Sequence, residues 1–325
     1  MWVTLIAGAY PVSGSLQRMP WRLIPTAAVQ VSMHPQEGMP ASVADPRHLL
    51  TKVIQTLQDD GYHPVMAAEL EFYLLDRERD SQGRPQPARD SDGGRPLTTQ
   101  VYGLRELEQI EPSLADPYSG CKLQGIPART AISEYAPGQV EITLEHSSDA
   151  LQAMDEAVPY KRLVKGVNHK HGMVACFMAK PFYDLAGTGM HMHISLDDKD
   201  GNNLFASDAP DGTPLLRQAV GGMLTTLLDL LLMFCPNANS YRRFQANSYA
   251  PLAATWGVDN RTVSLRVPGW PAFSRHIEHR ICGSDASPYL AAAAIIAAFA
   301  SNLTLALRWR ATVTHRPPAF YLLTG

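Results

Sequence analysis

The chain has 325 residues, 45% of them hydrophobic, enough for one large core or two ordinary ones. A formal charge of -3 and a pI near 6.4 leave no basic footprint, which argues against nucleic acid as the main partner. Cys121, Cys176, Cys235 and Cys282 lie far apart without zinc-type spacing and read as buried free thiols in a reducing, cytoplasmic setting.

The first twelve residues are apolar but lack a basic start, so no secretory signal is expected. Asp45-Pro46 has the form of a helix cap followed by a first-turn proline. Leu49, Leu50, Val53, Ile54 and Leu57 then recur at helical spacing until Gly61. A strand follows over 65–75. Its period of two places Glu69, Glu71 and Tyr73 on one face and Leu70, Phe72 and Leu74 on the other. Residues 77–96, rich in Gly, Pro, Arg and Asp, read as an exposed loop.

A strand over 140–144 carries Glu141. If 136–139 forms a four-residue turn around Pro137-Gly138, Glu134 faces Glu141 directly. Two carboxylates about 4 Å apart repel by roughly 4 kcal/mol at an effective dielectric near 20. A divalent cation such as Mg²⁺ or Mn²⁺ removes that cost; the alternative is that the glutamates line solvated strand faces. A helix is predicted over 149–170, kinked or shortened at Pro159, with a strand over 174–178 after it.

Gly187-Thr188-Gly189 predicts a turn that lets backbone approach a ligand. The strand over 190–196 then sets His191, His193 and Ser195 against Met190, Met192 and Ile194. Thr213-Pro214 and Ser287-Pro288 are cap signals for apolar helices over 219–235 and 290–307. Asp229 in one, and Ser301 and Asn302 in the other, favour buried helices over membrane spans. Strands over 262–267 and 277–282 carry Arg266, Glu278 and Arg280, groups suited to carboxylate and phosphate. Neither a GxxxxGK[ST] loop nor GxGxxG is present, so a nucleotide would be held through metals and arginines. Irregular spacing of helices between strands predicts an α+β fold on a largely antiparallel sheet.

Taken together, Glu69-Leu-Glu71-Phe, Ala136-Pro-Gly-Gln-Val-Glu141, Gly187-Thr-Gly-Met-His-Met-His-Ile-Ser195, Asn239-Ser-Tyr-Arg-Arg243, Asn260-Arg261, Arg266-Val-Pro268 and Ile277-Glu-His-Arg280 resemble the glutamine synthetase family. The resemblance runs from about residue 20 to 300. It implies a curved sheet with flanking helices, and ATP-dependent joining of the glutamate γ-carboxylate to an amine through a γ-glutamyl phosphate. By the same resemblance Glu71, Glu134 and Glu141 hold one Mg²⁺ or Mn²⁺, and Glu69, His191 and Glu278 another. Gly187, Arg243 and Arg280 grip glutamate. Arg261 and Arg266 act catalytically on the transferred phosphate, with His193 and Ser195 near ATP.

Where ammonia-using members carry a glutamate before the motif matching Ala250-Pro251, this chain has Tyr249. A tyrosine supplies no negative charge at neutral pH. The wording is closer to the γ-glutamylpolyamine synthetase branch, and a putrescine-like amine is expected. The expected organisation is an atypical lead at 1–20, a catalytic domain at 21–307 and an atypical tail at 308–325, within a homo-oligomer. Relatives carry a small domain before this region and a flap after it. The alternatives are therefore a truncated, catalytically impaired relative that binds metal and ATP, or a glutamine synthetase using ammonia.

Overall fold

The computed structural model describes residues 8–306 except 36–37, 99–100 and 270. Near the start, β1 (Gly8–Pro11), β2 (Gln17–Arg18), β3 (Ala27–Ala28) and β4 (Val31–His34) form two small two-stranded antiparallel sheets, β1 with β4 and β2 with β3. Asp45 caps α1 (Pro46–Asp59) through one carboxylate oxygen, which accepts from the amides of Arg47 and His48 at 2.8 and 3.2 Å. Its other oxygen accepts from Ser32 Oγ and the Met33 amide, so one side chain starts the helix and anchors β4.

After α1 comes β5 (His63–Asp76), then α2 (Leu104–Gln109), α3 (Glu111–Gln124), β6 (Ala128–Ser133), β7 (Gln139–Leu144) and α4 (Ala150–Lys170). β8 (Met173–Cys176), β9 (Met190–Asp197), α5 (Pro214–Thr226), α6 (Leu231–Phe234), β10 (Trp256–Val258), β11 (Leu265–Val267), β12 (Ile277–His279) and α7 (Pro288–Ala306) complete the described order. The principal sheet runs β10-β11-β12-β9-β5-β7-β6, with β8 on the far end of β5. Its pairings are antiparallel except β10 with β11. The fold is α+β, as the pattern of strands and helices predicts.

Leu70, Phe72, Leu74, Met190, Met192, Ile194, Val140 and Ile142 point to the covered face and are almost fully buried. Each such side chain contributes about 1.5–3 kcal/mol by leaving water. Helices α1 and α4 lie against β5, and α7 packs on α1, α4 and α5. The opposite sheet face is left to the polar side chains.

Four predicted elements change. The helix over 149–170 continues through Pro159. Proline removes the amide that would bond the Asp155 carbonyl, but the Gln30 side chain donates to that oxygen at 2.9 Å. The segment 219–235 is two helices, with Thr225 and Thr226 turning their hydroxyls onto the Gly221 and Gly222 carbonyls where the first one ends. The strand over 262–267 starts only at Leu265, because Asn260 holds the Thr262 amide and hydroxyl in a turn. The strand over 277–282 stops at His279, although the Arg280 amide still bonds Ser264. The tail at 308–325 and the first seven residues of the lead lie outside the described residues.

Candidate active site

Sheet register brings the polar residues together. Glu71 pairs directly with Glu141, Glu69 with His191, His193 with Glu278, and Glu278 with Arg266. Because paired residues share a face, this row crosses β7, β5, β9, β12 and β11 on the face away from the core. The expected turn is displaced by one residue. Ile132 pairs with Glu141, and Glu134 closes the hairpin on Gln139, its amide donating to the Gln139 carbonyl at 2.9 Å. The directly opposed carboxylates are thus Glu71 and Glu141, not Glu134 and Glu141. Glu134 remains on the same face, at the end of the hairpin, and Gly138 takes a positive φ of +75° in the turn.

The imidazoles interleave with the carboxylates. His191 Nδ1 lies 3.3 Å from Glu69 Oε2 and 3.5 Å from Glu278 Oε1, and its Nε2 lies 3.9 Å from Glu71 Oε1. His193 Nε2 lies 2.9 Å from Glu69 Oε1. Three sets of side chains place one ligand atom each within 4.8 Å of the others: Glu69, Glu141 and His191; Glu69, His193 and Glu278; and His146, His193 and His276.

Burial, together with the charges of Glu69, Glu71, Glu134 and Glu278, drives the Glu141 carboxyl well above its ordinary range. Burial and Glu71 push Glu134 up to about 8. Burial works against ionisation at Glu69 too, yet His193 and His191 hold it well below the usual carboxylate range. Glu278 reaches about 2, with His191 and Arg280 outweighing its burial. Carboxylate crowding at Glu134 and Glu141 is the kind of cost a bound divalent cation would relieve. Oxygen donors with one or two imidazoles suit Mg²⁺ or Mn²⁺.

Arginines ring this cluster. Arg266 Nη1 donates to Glu278 Oε2 at 2.7 Å, and Arg280 bonds the other oxygen of Glu278. Among the described residues the buried Nε–H groups of both arginines have no hydrogen-bond partner, donors suited to an anion. Arg243 is buried, its Nη1 on the Ile281 carbonyl at 2.8 Å, and Arg261 reaches Tyr102 at 3.1 Å.

The two glycines of Gly187-Thr188-Gly189 leave room for neighbouring side chains. A Cβ on Gly187 would meet Arg243 Cγ at 2.7 Å, and one on Gly189 would meet His191 Nε2 at 2.8 Å and Glu71 Oε1 at 3.2 Å. The Gly189 amide donates to Glu71 Oε2 at 2.8 Å. The turn therefore lets a guanidinium and a carboxylate pack against backbone.

These groups open into a cavity of about 1320 Å³. Every residue expected to take part lines it except Ser195, which is buried one pair further along β9 opposite Val65. Tyr249 stands at its edge with Tyr135, ring centroids 5.2 Å apart and edge-on.

Sequence reasoning missed Gln139, Lys180, His146 and His276. Gln139 donates to Glu71 Oε2 at 2.9 Å and to the Gly187 carbonyl at 3.0 Å; its place inside the Pro-Gly-Gln motif was the available signal. Lys180 is buried on the Leu185 carbonyl and lines the cavity, with no local pattern to mark it. His146 and His276 each stand alone in sequence, and only the fold brings them beside His193.

Residues 43–315 match the glutamine synthetase catalytic domain family. The chain is 42% identical over 274 residues to the gamma-glutamylputrescine synthetase PuuA of Escherichia coli, covering 84% of this chain and 58% of that protein. It is 34% identical over 286 residues to the gamma-glutamylethanolamide synthetase GlnA4 of Streptomyces coelicolor, covering 87% and 60%. It thus spans about three fifths of the length of these curated relatives. Among solved structures, a GmaS/ADP complex superposes with a TM-score of 0.79 at 29% identity, over 92% of this chain and 67% of that one. The chain belongs to the glutamine synthetase family, through its catalytic domain.

Proposed function

We propose that this site joins the γ-carboxylate of glutamate to an amine at the expense of ATP. The observation that carries the reading is the single polar row Glu141–Glu71–Glu69–His191–His193–Glu278–Arg266, set by sheet register at the floor of a cavity. Three anions must meet in such a reaction: ATP, glutamate and the phosphoryl group in transit. The floor supplies an acidic cluster for divalent cations and a ring of guanidinium groups for carboxylate and phosphate.

In this reading Glu71, Glu134 and Glu141 hold one Mg²⁺ or Mn²⁺, and Glu69, His191 and Glu278 a second. When bound, such ions neutralise phosphate charge. Arg243, Arg280 and the Gly187 backbone orient glutamate so that a γ-carboxylate oxygen attacks the terminal phosphorus of ATP and ADP departs. Arg261 and Arg266 are the catalytic arginines, balancing negative charge on the moving phosphoryl group. His193, and Ser195 behind it, lie toward the nucleotide. The amine nitrogen then attacks the acyl carbon, inorganic phosphate leaves, and the ammonium proton passes to solvent or a nearby carboxylate.

Tyr249 favours an organic amine over ammonia. Paired edge-on with Tyr135, it offers an uncharged aromatic wall where a carboxylate would be wanted to capture ammonium. Two of the similar proteins are named for putrescine and ethanolamine products, which supports the same choice. A cytoplasmic homo-oligomer belongs to this reading. Its support is the apolar surface at Leu16, Leu23, Ile24 and Val43, each more than two thirds exposed. Among the described residues no helix is long and apolar enough to cross a membrane.

The test is phosphate release from ATP with glutamate and a panel of amines. Putrescine-like diamines are expected to exceed ammonium. Equal or faster turnover with ammonium would reassign the chain to glutamine synthesis. ATP binding without amine-dependent phosphate release would leave it a metal- and nucleotide-binding relative.

A further inference from the structure

We infer that His146, His193 and His276 form a further metal site, built for a nitrogen-preferring transition ion such as Zn²⁺ and bordering the carboxylate cluster at His193. The three rings come from different parts of the chain. His193 is on β9, His276 directly precedes β12, and His146 follows β7. Their centroids are 5.0 to 5.5 Å apart in all three pairings, and one nitrogen from each lies within 4.8 Å of the others.

Hydrogen bonding sets which nitrogens are available. His276 Nδ1 lies 2.7 Å from the Ser274 carbonyl, an acceptor only, so Nδ1 carries the proton and the Nε2 lone pair is free. His193 Nε2 lies 2.9 Å from Glu69 Oε1 but outside hydrogen-bond geometry. Both of its ring nitrogens are buried without a hydrogen-bond partner among the described residues, within a side chain that is more than nine-tenths buried. A buried ring nitrogen without a partner is costly unless something binds it.

Three imidazoles, with His146 and His193 lining the open cavity, match a zinc centre that keeps a coordination position free. Mg²⁺ prefers oxygen, so the histidine and carboxylate sites sort ions by donor chemistry. The inference stands whether or not the ligase reading holds.

Cobalt(II) is a visible probe of such a site. In saturating Mg²⁺, which fills oxygen sites, the full chain is expected to bind one equivalent of Co²⁺ with the strong visible absorption of a low-coordinate nitrogen site. His146→Gln and His276→Gln should each weaken that binding at least about tenfold, the lower end of what losing even an outer partner costs. Glu141→Gln should retain it. Identical Co²⁺ titrations in wild type and both histidine variants would overturn the inference, as would loss of the signal in Glu141→Gln alone. Far-UV circular dichroism confirms folding. Should a variant fail to fold, the wild type carries the test: equimolar Zn²⁺ should shield His146 and His276 from diethyl pyrocarbonate, and equal modification with and without Zn²⁺ sinks the site.

Discussion

Glu141 is the side chain on which the candidate site presses hardest. It is 5% exposed, directly opposite Glu71, and driven well above the normal carboxylate range by burial and four neighbouring carboxylates. In chelator, Glu141→Gln is expected to raise the melting temperature, because an uncharged amide removes the repulsion while keeping the shape. A lower melting temperature would show that the carboxylate is satisfied without metal. The same crowding sets a pH dependence. Glu134 has its folded value raised to about 8 from an unfolded value near 4.3, so between those limits the folded state binds more protons than the unfolded one. Its contribution to stability is complete below about pH 4.3 and is lost as pH rises through about 8. Glu278, lowered to about 2, has the opposite sign, and its contribution is lost only as pH falls through that value. Urea midpoints of chelated protein should therefore fall from pH 6 to 8, and a flat profile would contradict the crowding.

At the scale of elements, α4 shows how a local rule is overridden. Proline inside a helix costs about 3 kcal/mol, partly through its missing hydrogen bond. Here the Gln30 side chain replaces that bond at the Asp155 carbonyl. The Asp155 carboxylate meanwhile takes Arg47 of α1 at 2.7 and 2.8 Å and Tyr289 of α7 at 2.7 Å. One residue thus ties α4 to the segment after β3, to α1 and to α7. Gln30→Ala should cost about 1–3 kcal/mol in urea unfolding, the penalty for an unsatisfied carbonyl. In a Pro159→Ala background the cost should shrink, because the substituted alanine brings its own amide; equal losses in both backgrounds would exclude the compensation. Helix α3 gave no such clue in advance. Its buried residues are Ser113, Leu114, Pro117, Gly120 and Cys121, so the inward stripe is small and partly polar. Gly120 is small because a Cβ would stand 3.0 Å from Leu163 of α4. Hydrophobic periodicity cannot reveal a helix that packs through smallness.

For the whole molecule, metal binding at the proposed ligands would be coupled to stability, because those ligands lie on β5, β7, β9 and β12 of one sheet, with Glu134 just past β6. Any ion bound only by the folded state stabilises it by about 2.7 kcal/mol at a hundredfold excess over its dissociation constant. Mn²⁺ should raise the melting temperature by several degrees and EDTA should reverse the rise. Glu134→Gln should largely abolish the response. A full response in that variant would remove Glu134 from the ligands.

Much of this was legible in the residue order. Alternation by two in 65–75 and 190–196 separated Glu69, Glu71, His191 and His193 from the core, and the caps at Asp45, Thr213 and Ser287 placed helix starts. These features depend on backbone geometry within a few residues, so sequence alone determines them. The family motifs added order and spacing. Tertiary structure alone decided which carboxylates oppose each other, since the hairpin sets Ile132 rather than Glu134 opposite Glu141 and the β5–β7 pairing sets Glu71 opposite it on the other side. It also decided that Pro159 continues its helix and that His146, His193 and His276 converge. Each of those outcomes depends on strands and helices distant in sequence meeting across a shared core, and no local pattern encodes that meeting.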